Sequence, residues 1–281
     1  MDAHVFFATL AAALFHASWN AGLKVRISPG VAITLMSVVA GVAAIPAVLA
    51  LGLPAAASWP YLAASLALHL VYYVTLAEAY RTGDLGQVYP IARGSAPLMT
   101  AIGSAALLGE HLGSTGWAGV CVLMSGVLLL SVRGSRALAG FDGRAVGFAL
   151  ATAATIAGYT LVDGVGGRSA GSAHAYAATL FVLDGAMMLI YGLLRQRPEM
   201  VSGMRTGASL VLVGGVLSLA SYWIAIWAMS VAPIALVAAV RETSVLFAAL
   251  LAVVLLKEPV MASRLVAAVL VLSGLVLIRL H

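Results

Sequence analysis

Ten stretches of this chain are each apolar over roughly the 20 residues that a helix needs to cross a bilayer's hydrocarbon core. They cover 4–23, 31–52, 60–80, 85–108, 115–132, 145–164, 174–194, 207–230, 233–256 and 260–279. The segments between them are short and carry charge or helix breakers, as in "KVRISPG", "RTGD", "RGSRALAGFDGR", "RQRPEMVSGMR" and "KEP". Backbone in hydrocarbon must satisfy its own hydrogen bonds, which leaves helices or closed barrels. Barrel strands alternate apolar and polar residues, and these runs do not. Only 9% of the 281 residues are charged and 63% are hydrophobic, against about 25% charged in soluble domains. The chain is therefore expected to be an all-α membrane protein with ten transmembrane helices.

The first run has no basic residue ahead of it, since Lys24 is the first, and it carries His16, Trp19 and Asn20. It is read as a retained span and not as a cleaved signal segment. Cys121 is the sole cysteine, so no internal disulfide forms. The formal charge of +5 lies in loops. With no basic amphipathic helix and no phosphate-binding glycine loop, the expected surroundings are lipid, with no nucleic-acid partner. No cofactor is expected, and no cluster with metal-ligand spacing is present, so no metal is expected either.

The fifteen basic residues divide unequally. Eleven fall in the loops after the first, third, fifth, seventh and ninth spans: Lys24, Arg26, Arg81, Arg133, Arg136, Arg144, Arg195, Arg197, Arg205, Lys257 and Arg264. Arg168 and Arg279 lie on the other side, and Arg93 and Arg241 lie within spans. Positive residues collect on the cytoplasmic face, so both termini are expected outside.

The chain also repeats itself. A shift of 148 residues superposes "YPIARGSAPLMTAI", from Tyr89, on the segment beginning at Val237, and it aligns Arg93 with Arg241, Glu110 with Glu258, Ser125 with Ser273 and Gly126 with Gly274. Two five-span copies follow, 1–137 and 138–281. Five is odd, so the second copy enters the membrane the other way, and equivalent loops do carry opposite charge bias. Inverted repeats are a signature of carriers with a midplane site between the copies.

"FHASWNAGLK" in the first span, "YPIARGSAPLMTAI" followed by "LLGEHL" in the fourth and "LLKEP" after the ninth resemble the drug/metabolite transporter superfamily, specifically its ten-helix EamA-type exporters. The resemblance covers both copies. It implies export of small metabolites, and within the family the chain looks most similar to bacterial exporters of amino acids, aromatic ones included. Small four-helix relatives couple protons through a Glu in helix 1; this chain has no acid there, so that mechanism does not carry over.

Several residues qualify for the site. Arg93 and Arg241 sit inside spans, where an arginine is expensive to hold; each is either a fork for a substrate carboxylate or half of a structural ion pair, with Glu242 and Asp184 as possible mates. Asp184, mid-way along the seventh span, is either a proton carrier or a counter-ion. Glu78 and Asp163, nearer helix ends, are read as snorkelling to the interface. His16, Trp19 and Asn20 share one face by their i, i+3, i+4 spacing, lining either a cavity or an interhelical hydrogen-bond cluster. Tyr72 and Tyr73, Tyr159, and Tyr222 and Trp223 would supply an aromatic lining, with His69 beside the first pair. Pro90 and Pro97 are expected hinges of helix 4. Glu110 and Glu258 are explained by the dipoles of the helices that follow them.

The reading is a secondary transporter that moves small organic molecules, foremost amino acids, by alternating access; other metabolites or drugs are the alternative cargo. A membrane channel is a further alternative, against which stands the absence of repeated filter loops; an intramembrane enzyme is the last, with Ser18 or Ser95 beside His16 or His69 as a conceivable pair but no HExxH, paired-Asp or GxSxG pattern. One chain holds both halves, so a monomer suffices to build the site.

Overall fold

The computed structural model describes residues 1–22, 27–82, 85–132, 143–256 and 262–280. The helices are α1 (Ala3–Gly22), α2 (Pro29–Leu51), α3 (Trp59–Thr82), α4 (Leu85–Leu108), α5 (Ser114–Val132), α6 (Gly143–Ser169), α7 (Ala173–Arg195), α8 (Arg197–Val231), α9 (Ile234–Arg241), α10 (Ser244–Leu256) and α11 (Ala262–Leu280). No strand occurs among the described residues. Among the described residues, seven helical segments are long and apolar enough to cross a membrane by themselves. Large apolar side chains such as Leu49, Leu107 and Leu194 point outward from the bundle, as a lipid-facing surface requires. The repeat boundary between 137 and 138 lies outside the described residues, as do Lys24, Arg26, Arg133, Arg136, Lys257 and Glu258.

Two elements differ from the expected spans. The loop "RQRPEMVSGMR" is helical: α8 begins at Arg197, with Pro198 in its first turn where a missing N–H costs nothing, and bends at Gly207 (φ −140°, ψ 27°) before the membrane-length part. The ninth span is broken into α9 and α10. At the break the Glu242 and Thr243 amides donate to Ala239 O and Val240 O, three residues back, both at 3.1 Å. The Thr243 hydroxyl also donates to Val240 O at 2.7 Å. A side chain that competes for backbone acceptors, with a shift to i−3 bonding, interrupts a helix without any proline.

The packing has the two-fold symmetry of the repeat. α2 lies on α7 and α5 on α11; α3 on α6 is matched by α8 on α1, and α4 on α6 by α9 and α10 on α1. The α5–α11 contact shows the symmetry atom by atom. Gly126 is pressed against Val271 and Gly274 against Leu123, and the 148-residue shift turns 126 into 274 and 123 into 271. A Cβ added at Gly126 would sit 2.9 Å from the Val271 nitrogen, and one at Gly274 2.6 Å from the Leu123 nitrogen. Small residues let membrane helices approach this closely. The same device holds α2 to α7, where Gly41 and Gly185 meet backbone to backbone.

Candidate functional site

The two intramembrane arginines of the sequence are not used alike. Arg93 of α4 donates from Nη2 to Glu242 Oε1 at 3.1 Å, an ion pair between the two copies with side chains only 15% and 8% exposed. The same nitrogen faces His16 Nε2 at 3.4 Å. A guanidinium only donates, so this contact uses the neutral imidazole. Trp19 packs edge-on against His16, with ring centres 5.2 Å apart. Asn20 turns its amide to its own helix, donating to His16 O at 3.0 Å.

Arg241 has no carboxylate partner among the described residues. Its guanidinium lies 4.9 Å from the centre of the Tyr222 ring, a cation–π placement. The repeat explains the difference: in the first copy the position equivalent to Glu242 is Gly94, which is pressed against Leu128. The counterpart of the Arg93–Glu242 pair therefore lacks its acid. Glu242 was legible only as the neighbour of Arg241; the fold gives it to Arg93 instead.

Aromatic rings gather beside Arg241. His69 is stacked on Tyr159 at 4.4 Å and meets Tyr222 edge-on at 6.3 Å. Tyr159 also meets Tyr72 and Tyr222 edge-on at 6.1 and 6.0 Å, and Tyr72 meets Tyr73 at 5.4 Å. Tyr159 of α6 is the centre of the group, within electrostatic reach of both arginines, Glu242 and Asp163. These rings and Arg241 keep partial exposure inside the bundle. Trp223 points away from them: its indole N–H donates to His174 Nδ1 at 2.8 Å, on the opening turn of α7.

The acids are also distributed differently from expectation. Asp163 does not snorkel. It is fully buried and accepts hydrogen bonds from Tyr176 at 2.9 Å and Tyr222 at 2.6 Å. Distance from the helix end misled here, because α6 runs on to Ser169. Glu78 does stay near the surface, paired with Arg81 at 2.7 Å. Asp184 neutralises neither arginine; Ser37 and Tyr73 are near it, and its Oδ1 is buried without a hydrogen bond. α4 runs as one helix past Pro97, and the side chain of Pro90 lies outside the described set. The discontinuity falls in the partner span, at 242–243.

Glu110 acts on a different helix from the one expected. Its Oε2 accepts the Ile234 N–H at 2.9 Å, at the start of α9. Its Oε1 takes a bond of 2.6 Å from Arg168. Arg168 also donates to Met229 O and Ala232 O, both at 2.9 Å. One end of the seam between the copies is thus tied by a carboxylate that satisfies an orphan helix N–H.

Ten spans in two inverted fives, with charges and aromatic rings buried along the seam, define a transporter-type membrane protein. The chain belongs to the EamA-like transporter family, whose model matches residues 4–132 and 143–280, one match per copy, and so to the drug/metabolite transporter superfamily. It is a multi-pass membrane transporter. A solved crystal structure, described simply as that of a protein, has the same fold with a TM-score of 0.77 at 20% identity, covering 98% of this chain and 95% of the other. No curated protein matches the sequence.

Proposed function

We propose that the chain exports small carboxylate-bearing metabolites, namely amino acids with hydrophobic or aromatic side chains, across a bacterial inner membrane with both termini outside. One observation carries the reading. Of two symmetry-related guanidiniums, Arg93 is occupied by Glu242, while Arg241 lies on Tyr222 without a carboxylate among the described residues. A guanidinium fork at membrane depth suits a carboxylate. The rings of Tyr72, Tyr73, Tyr159 and Tyr222 suit an apolar or aromatic side chain. In this reading His16 and Trp19 support the Arg93–Glu242 pair, Asn20 caps that face of α1, and the break at 242–243 lets the two ends of the ninth span move separately. Rocking of the two halves would expose the cargo to each face in turn.

The test is counterflow in proteoliposomes loaded with a single unlabelled amino acid, with labelled L-phenylalanine outside. Saturable accumulation that disappears in Arg241→Ala and survives in Arg93→Ala is expected. Exchange of equal strength in Arg241→Ala would sink carboxylate recognition by that residue. A second reading, export of organic cations, is favoured by Asp163 and Asp184, two carboxylates without an ion pair among the described residues, lying near aromatic rings; labelled tetraphenylphosphonium in the same assay separates the two.

A further inference from the structure

Asp163 is buried at membrane depth with no cation paired to it among the described residues. Charge there is expensive unless matched, and the groups that touch the acid are hydroxyl donors. Tyr176 from α7 donates to one oxygen and Tyr222 from α8 to the other. The Tyr222 bond, at 2.6 Å, is the shorter of the two. From α3, Ser65 and His69 face the same acid. His69 Nδ1 lies 2.9 Å from Ser65 O; a carbonyl only accepts, so Nδ1 holds a hydrogen and only Nε2 is left to face the acid. The ionisable residues of α4 are Tyr89 and Arg93, in its first half, and 56–58 has none. From α9, Arg241 reaches the acid only by way of Tyr222, whose ring it covers at 4.9 Å.

One side chain therefore touches both the guanidinium read as the cargo site and the buried acid. We infer that Asp163 is the proton-binding site that couples export, with Tyr222 carrying the coupling between the proton and the carboxylate of the cargo; this rests on the reading of Arg241 as the carboxylate site. Ionised Asp163 holds the Tyr222 hydroxyl, fixes its ring beneath Arg241 and so preorganises the fork. A proton on Asp163 removes the charge from that bond and releases the ring. Proton and cargo then weaken each other's binding by the same factor. The proton arrives from water on one face as cargo leaves, and returns to water on the other face when new cargo binds.

The experiment uses the full chain in liposomes, with labelled L-phenylalanine exchange measured between about pH 5 and pH 9. In the parent, the half-saturating concentration should rise as the pH falls, by up to tenfold per unit if one proton competes. In Tyr222→Phe, which keeps the ring and loses the hydroxyl, and in Asp163→Asn, the remaining exchange should lose that dependence. The same dependence in both variants would overturn the inference. Infrared titration of the purified protein decides the proton site even without cargo: a protonated-carboxyl band that appears on acidification, is missing in Asp163→Asn and moves in Tyr222→Phe is expected. A band unaffected by either change, or none at all, would overturn it. Absence of any phenylalanine exchange in the parent would refute the amino-acid reading alone, leaving the infrared result to judge Asp163.

Discussion

Arg93 and Glu242 belong to opposite copies of the repeat and meet at 3.1 Å, both largely out of contact with solvent. The pair is a cross-link between halves that the sequence repeat alone would not place, because its symmetry equivalent would join Arg241 to a glycine.

Removing one member strands the other. Arg93→Leu leaves a buried carboxylate and should lower stability by about 3–5 kcal/mol. Glu242→Gln keeps a hydrogen-bond acceptor and should cost about 1–3 kcal/mol. Arg93→Leu combined with Glu242→Leu should be less destabilised than the sum of the two single changes. Thermal unfolding in detergent measures all of these, and strict additivity would show that the two groups do not interact.

The two arginines should respond oppositely to lysine. Arg241→Lys keeps the charge but loses the planar fork, and should raise KM for phenylalanine roughly 10- to 100-fold with little change in Tm. Arg93→Lys should lower Tm and leave KM within a few-fold. Counterflow and melting on the same preparations decide; the reverse pattern would move the cargo site to Arg93.

The glycines of the α5–α11 contact admit no side chain without moving backbone. Gly126→Ala and Gly274→Ala should each destabilise by about 1–3 kcal/mol, and by similar amounts because the contacts are related by the repeat. Gly143→Ala, where an added Cβ meets nothing within 4 Å, is the control and should be near neutral.

The bonds made by Arg168 should control access at one end of the seam. With Cys121→Ser to remove the exposed thiol and Ala235→Cys as a reporter at a fully buried position in α9, a membrane-impermeant maleimide added outside intact cells should label slowly. Adding Arg168→Ala, which deletes the bonds to Glu110, Met229 O and Ala232 O, should raise the rate several-fold. Labelling from the cytoplasmic side only would reverse the proposed orientation.

Much of the architecture was legible because hydrophobic length and loop charge are local properties. The spans at 85–108 and 174–194 differ from α4 and α7 by at most a residue at each end. The helical start of α8 was hidden because a polar, proline-containing stretch reads as a loop until its first turn is seen to use the proline. The break after Arg241 depends on the Thr243 hydroxyl choosing a backbone acceptor, which propensity does not encode. In the site, helix spacing and the repeat pointed to Tyr72, Tyr73, Tyr159 and Tyr222, whose rings meet, and equally to Trp223, which turns to His174 instead. Asp163 was misread because depth was judged from an estimated helix end. The match of Glu242 with Arg93 depends on which faces of α4 and α9 meet, a tertiary property, though the lone hint, Gly94 at the equivalent position, was present in the alignment.

The glycine clamps also set how the halves can move. Gly41 on Gly185, and Gly126 on Val271 with its mate Gly274 on Leu123, are contacts between opposite copies, made by helix pairs that the two-fold maps onto themselves, so its axis passes through both pairs. Neither can slide, because a residue's shift would drive a side chain into backbone. Two fixed points define a line, and the rocking proposed above would be rotation about it. For an inverted repeat that line lies in the plane of the membrane, so a small turn would widen the seam at one face as it narrowed it at the other. In that reading the same small residues that close the bundle would serve as its axle.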